Sequence, residues 1–303
     1  MPRFATVRRV CLERASLVIV AVLTLQACSA SAPPSALPHT ERSADAQAAS
    51  STPTPAIGSR QSDPPASVGS ADSYTVDASG RRLTMRCWGT GDPTVFFESG
   101  GGGLDELENS SLVGAIAART RACLYNRAGL APSDPAPNRR REAEDVAADF
   151  RALVREAGIS APYVLFGRSF GGMIVTFYAA THPSEVAGVV VFDSPAPSAT
   201  MTRQDFPEGV WDAPGNVEHL NVLTGFENRF GKKPVRFPAP LIVINTTAGE
   251  APPEDRYWLQ TSPGARQVTL QGGMEVIDVQ ADAIATEILS LVEGAAHASP
   301  SPA

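Results

Sequence analysis

Phe166-Gly167-Arg168-Ser169-Phe170-Gly171-Gly172, "FGRSFGG", decides the fold. It follows the apolar run "YVLF" and precedes "GMIVTFYAATH", so it reads as a tight turn from a strand into a helix. Gly167-x-Ser169-x-Gly171 has the spacing of a nucleophile elbow. The serine occupies a strained turn, and side chains two positions either side would collide with the flanking strand and helix. Its hydroxyl then projects at a helix N-terminus, where the dipole favours developing negative charge.

Outward from this turn, apolar strands alternate with helices. "SYTVDASGRRLTMRCWG" (Ser73–Gly89) alternates around a Ser-Gly turn and predicts a β-hairpin. "PTVFFESGGGG" is an apolar strand running into glycines, and "TRACLYN" is a short strand. "EAEDVAADFRALVREAG" puts Val146, Phe150, Leu153 and Val154 on one helical face, with Gly158 as its stop. "VAGVVVFD", "APLIVIN" and "ARQVTLQG" are further strands, and "ADAIATEILSLVEG" (Ala281–Gly294) is the last helix. The alternation predicts an α/β class: a mostly parallel sheet of eight strands covered by helices on both faces. Residues 194–238 break the rhythm and read as a short cap insertion. The folded domain is expected over residues 73–294, roughly 220 residues and ample for one core.

The start of the chain reads as an address. Arg3, Arg8, Arg9 and Arg14 precede "LVIVAVLTL" (Leu17–Leu25), an apolar run too short for a bilayer, which needs ~20 residues. Residues 1–27 fit a signal peptide, and Ala27-Cys28 resembles a lipobox in which Cys28 carries the lipid; an ordinary secretory signal is the alternative. Residues 28–72, rich in Ser, Ala and Pro, are expected to form a disordered stalk, and residues 295–303 a disordered tail. The expected location is extracytoplasmic, with the membrane met only through the N-terminal lipid. Residues 1–27 carry four Arg and one Glu, so the remainder of a chain of net charge −7 stands near −10. That charge excludes nucleic acid as a natural partner. The one basic cluster, Arg139-Arg140-Arg141, reads as a solvated turn before a helix. Cys87 and Cys123 remain for the folded domain; they form either one disulfide or two buried thiols. With no metal-ligand spacing and no dinucleotide fingerprint, no cofactor is expected.

Acyl transfer also needs backbone N–H groups aimed at the oxyanion. Phe170, directly after the serine, supplies one. The loop "ESGGGG" (Glu98–Gly103) supplies the other; Gly101 is the chosen donor, with Gly100 and Gly102 as alternatives. With "RCWGTG" (Arg86–Gly91), "YNRAGLAPSDPAP" (Tyr125–Pro137) and the elbow in this order, the chain resembles exported bacterial members of the α/β-hydrolase fold family. The resemblance implies a serine–acid–histidine triad in that chain order. It also implies that the strands carrying Cys87 and Cys123 lie side by side, which favours the disulfide. Two carboxylates are candidates for the acid: Asp193, in "VVVFDSPAP", is the first choice and Glu250, in "INTTAGEAPPED", the second.

The base is the departure. Counting back from Gln280-Ala281, where the last helix opens, the resemblance places the histidine at Met274, in "QGGMEVID". A thioether has no useful basicity. His39 belongs to the stalk, His297 to the tail and His182 to the far end of the elbow helix. His219, in the cap, is the one substitute with a route to the site; Glu275 and Asp278 are weaker candidates. Asn126 stands where the similar motif usually has aspartate. The expectation is a serine hydrolase acting on a small ester or amide, slowed by loss of its base. The alternatives are a pseudohydrolase that only binds and a domain in which Ser169 traps reactive acyl or phosphoryl compounds.

Overall fold

The apolar runs become strands because β-branched and aromatic side chains bury on both faces of a sheet. The computed structural model describes residues 72–77, 79–101, 107, 110–196, 215–221, 235–246, 255–272 and 276–298. Its strands are β1 (Asp72–Thr75), β2 (Arg82–Trp88), β3 (Val95–Glu98), β4 (Ala122–Tyr125), β5 (Tyr163–Arg168), β6 (Val186–Phe192), β7 (Leu241–Asn245) and β8 (Arg266–Thr269). They form one eight-stranded sheet in the order β1-β2-β4-β3-β5-β6-β7-β8. β1, β2 and β4 pair antiparallel, and every pairing from β4–β3 to β7–β8 is parallel. This is the expected fold class.

The helices are α1 (Ser111–Ala117), α2 (Ala143–Glu156), α3 (Phe170–Thr181), α4 (Asp255–Trp258), α5 (Val276–Val279) and α6 (Ala281–Ala298). Side chains alternate between the sheet faces with period two, so Phe96 and Phe97 enter different cores. On one face Phe96 meets Phe150 of α2 and Tyr163 edge-to-face, at 5.1 and 5.2 Å. On the other, Phe97, Phe166 and Phe192 pack with Ile284 and Ile288 of α6. α2 starts in a capping box, Glu142 with Asp145, and Gly158 follows it at φ +65°, the left-handed stop that glycine permits.

Cys87 and Cys123 face each other across β2 and β4 and are joined by a disulfide, Cα to Cα 4.1 Å. β1 begins at Asp72, inside the span expected to be stalk. α6 runs to Ala298, past the expected end at Gly294, because the added residues include Ala295, Ala296 and Ala298, which favour helix. The tail was thus placed too early. α1, α4 and α5 were not expected; each is too short for a helical period to show. Arg141 corrects the reading of the basic triplet as a solvated turn. It is 1% exposed and ion-paired with Asp149 of α2, whereas Arg139 and Arg140 are exposed. The expected lipid-bearing Cys28, the stalk and most of the expected cap lie outside the described residues.

Candidate active site

The ends of β3, β5, β6 and β7 converge at the carboxyl edge of the sheet, where parallel α/β sheets leave a crevice. Ser169 stands there between β5 and α3 at φ 49°, ψ −123°. A left-handed φ is costly for a side chain with a Cβ and persists where the surroundings hold it. They do: the Ser169 N–H donates to Phe192 O at 2.9 Å, and Ser169 O accepts from Gly172 N at 3.0 Å. The Ser169 side chain makes no capping hydrogen bond to α3. The elbow's glycines are sterically required. A Cβ on Gly167 would lie 2.5 Å from Gly171 O, and one on Gly171 would lie 2.4 Å from Glu98 O.

That second approach seats the end of β3 on the elbow. The next residue but one, Gly100, faces the serine: its Cβ site lies 3.3 Å from Ser169 Cβ and 3.8 Å from Ser169 Oγ. Gly101 is exposed, with nothing within 4 Å of its Cβ site. Phe170 opens α3 and is buried, so its N–H belongs to the helix's first turn, whose donors point out along the axis. Gly102 lies outside the described residues.

Asp193 follows β6 with φ 42°. Its N–H donates to Ile244 O at 2.9 Å. Both of its carboxylate oxygens are engaged by one residue past β7: Oδ1 accepts from Thr246 N at 2.9 Å and Oδ2 from Thr246 Oγ1 at 2.5 Å. Glu250, the second choice for the acid, and Met274 lie outside the described residues, as do Glu275 and His39.

No histidine hydrogen-bonds Ser169 or Asp193 among the described residues. His182 caps the far end of α3, roughly 18 Å of helix from Ser169. There it stacks on Tyr178 at 4.7 Å and shares a 3.0 Å hydrogen bond with Thr181 Oγ1. Burial lowers its pKa below the ordinary value. His219 turns Nδ1 to the Pro137 carbonyl at 2.8 Å, and its own carbonyl accepts from Arg141 N. With Nδ1 at Pro137, neither ring nitrogen of His219 hydrogen-bonds Ser169 or Asp193 among the described residues. His297 lies near the end of α6.

Behind the glycine loop lies a charged cluster that sequence reasoning missed. Arg127, 1% exposed, directs its five N–H donors to two carboxylates, the loop backbone and the Ser99 hydroxyl. Nε donates to Glu218 Oε2 at 2.6 Å and Nη2 to Glu218 Oε1 at 2.9 Å. Nη1 donates to Glu98 Oε1 at 2.5 Å, Ser99 O at 2.9 Å and Ser99 Oγ at 3.1 Å; Nη2 also donates to Gly100 O at 2.9 Å. The Tyr125 hydroxyl donates to the other Glu98 oxygen. Burial pushes the Glu98 carboxyl above its ordinary pKa, with the Arg127 charge and the Tyr125 hydroxyl offsetting part of it. Burial and then the Glu98 charge raise the Tyr125 hydroxyl well above 10.0. Burial opposes the Arg127 charge, but Glu218 and Glu98 outweigh it and the guanidinium titrates above its ordinary value. Asn126 donates from Nδ2 to Ala131 O at 2.9 Å, a bond that an aspartate there could not make.

Similarity to known proteins agrees with this geometry. A family model described as "alpha/beta hydrolase fold" matches residues 93–266. The chain is 34% identical over 139 residues to the "Probable transporter efuK" of Hormonema carpetanum, covering 44% of this chain and 19% of that protein. It is 24% identical over 128 residues to the uncharacterised protein YbdG of Bacillus subtilis (strain 168), covering 42% of this chain and 39% of that one. The matches therefore span less than half of either relative's length. Among solved structures, the enol-lactonase from Burkholderia xenovorans LB400 superposes with TM-score 0.57 at 19% identity, covering 73% of this chain and 100% of that one. Epoxide hydrolase A from Mycobacterium thermoresistibile superposes with TM-score 0.59 at 15% identity, covering 74% and 99%. These two share the fold at identities that carry no substrate.

Proposed function

The chain belongs to the alpha/beta hydrolase fold family, and on that premise we propose that it transfers acyl groups from a small ester or amide through Ser169, slowly, because it lacks a triad histidine. The observation that carries this reading is Ser169, held at φ 49° at the head of α3 with Gly100 seated against its Oγ. In the proposed reaction, Ser169 Oγ attacks the carbonyl carbon and the C=O electrons become an oxyanion. The Phe170 N–H and a donor from Gly100 or Gly101 stabilise that charge. Collapse breaks the bond to the alcohol or amine, and water then hydrolyses the acyl-serine. The serine proton has no imidazole to receive it and passes to solvent. Loss of a triad histidine costs about 10⁶ in kcat and leaves ~10³–10⁴ over water, on the order of 8 kcal/mol of barrier.

A second reading is a pseudohydrolase that binds an ester or amide ligand without turning it over. The observation that favours it is the Asp193 carboxylate, held at both oxygens by Thr246 rather than by a histidine. We also place the protein outside the cytoplasm, lipid-anchored through Cys28. The apolar run before Cys28 supports this, as does the Cys87–Cys123 disulfide, a bond that persists in oxidising compartments.

Hydrolysis of a short-chain activated ester by the full chain, beside Ser169→Ala and Met274→His, tests the reading. Slow turnover that Ser169→Ala abolishes and Met274→His accelerates is the expected result. A native rate equal to that of Ser169→Ala, with serine-dependent gain only in Met274→His, would favour the pseudohydrolase. No serine dependence in any variant would refute both the triad layout and the role of Ser169.

A further inference from the structure

We propose that Arg127 is a positioning residue for the oxyanion loop, and that Glu218, from the segment between β6 and β7, sets where Arg127 sits. The peptide bonds Ser99–Gly100 and Gly100–Gly101 are trans, so each N–H points opposite to the preceding C=O. Arg127 accepts none of this freedom: it donates to Ser99 O and to Gly100 O. The N–H groups of Gly100 and Gly101 are therefore turned away from the guanidinium. These are two of the loop's candidate oxyanion donors, and Gly100 packs on Ser169 itself. Without Arg127, a run of glycines has no side chain to choose between peptide orientations.

Glu218 holds the guanidinium from the opposite side through a two-point grip on Nε and Nη2. Such forked pairs fix orientation as well as charge. The segment carrying Glu218 is itself seated. Gly129, two residues after Arg127, lies at φ +95° where a Cβ would come within 2.3 Å of Val217 O. A parallel bridge joins Arg141 to Leu220, with Arg141 N donating to His219 O and Asn221 N to Arg141 O. The position of residues 215–221 is thereby transmitted through one guanidinium to the loop beside the nucleophile.

Glu218→Gln is the informative variant. Arg127→Ala would leave Glu98 and Glu218 buried without their cation and could simply unfold the chain. Glutamine keeps the shape and one acceptor for Arg127, and it removes one of the two carboxylate charges facing a single guanidinium. Two readouts are needed. The first is the backbone order of Gly100 and Gly101, read by ¹⁵N relaxation on ¹⁵N-glycine protein, which requires no chemistry at Ser169. The second is the rate at which an alkyl fluorophosphonate labels Ser169. There the Oγ–P bond forms, the P–F bond breaks, fluoride departs, and the serine proton passes to solvent. Only this second readout rests on the acyl-transfer reading.

The expected result is a fall in the order parameter of both glycines from the rigid range near 0.85 to below about 0.6, with labelling slowed roughly 10–100-fold. Arg151→Gln, which breaks the Arg151–Glu185 pair at the other end of α3, leaves both readouts at the native value. Unmoved glycines in Glu218→Gln overturn the proposal whether or not labelling slows. Mobile glycines with native labelling overturn it too, because the loop's order then does not matter to the reaction. If native protein labels no faster than Ser169→Ala, the acyl-transfer reading falls, and the glycine order alone decides the positioning claim.

Discussion

Gly171→Ala tests the elbow with a sign. Gly171 is the second residue of α3, and in an exposed helix replacing glycine by alanine gains about 1 kcal/mol. Here the added Cβ would lie 2.4 Å from Glu98 O and 2.6 Å from Ser99 O, about 1 Å inside the 3.4 Å at which ordinary contact begins. Neither oxygen can swing aside: Glu98 is in register with Gly167 across β3 and β5, and Ser99 O is held by Arg127. The relief must come from separating the head of α3 from the end of β3. Overpacking of this kind costs about 1–3 kcal/mol, so the expected change is a loss of stability where propensity predicts a gain. The same shift moves Ser169 about 1 Å from the glycine loop, and misplacement on that scale costs roughly 10²-fold in reaction rate. Urea unfolding gives the first quantity, and fluorophosphonate labelling followed by intact mass gives the second. A variant more stable than native that labels no more slowly would refute the close approach as the reason for the glycine.

Replacing both Cys87 and Cys123 by alanine removes a cross-link closing a 36-residue separation, which predicts a loss of about 4 kcal/mol on the chain-entropy account. For a domain of this size that lowers Tm by roughly 10 °C, read by thermal scanning without reductant; a loss below about 1 kcal/mol would sink the estimate. Asp77, in the β1–β2 turn, titrates at about 2, lowered from 3.8 chiefly by the Ser79 hydroxyl and then by Arg81. A depressed carboxyl contributes stability above its unfolded pKa and loses it as pH falls through the folded one, so its share disappears between about pH 4 and pH 2. Urea midpoints of native and Asp77→Asn protein should converge across that window, and a constant gap would show that the turn hydrogen bonds carry no such linkage.

The elbow, the strands and the parallel sheet were legible because they rest on local rules. Gly167 and Gly171 are two residues from Ser169, and central strands such as β6 (VAGVVVF) and β7 (LIVIN) are apolar runs. The arrangement around the serine rests on pairs far apart in the chain. Thr246 lies 53 residues from the Asp193 it holds, and Glu218 lies 91 residues from Arg127. A threonine after a strand and an arginine in a loop have no period to betray them. Arg141 misled for a different reason, since its partner Asp149 is only eight residues on. Beside two solvent-exposed arginines it read as a third, and only the fold brings Asp149 to it. Asn126 departs from the aspartate usual in the similar motif, and its amide bonds Ala131 O across the turn.

The bridge from Arg141 to Leu220 ties off the long connection between β6 and β7 near its middle. The tie is made of main chain: Arg141 N–H donates to His219 O, and Asn221 N–H donates to Arg141 O. A fastening of that kind reads no side chain, so the sequence can change at Leu220 and Asn221 while the segment keeps its seat, provided no proline removes the Asn221 donor.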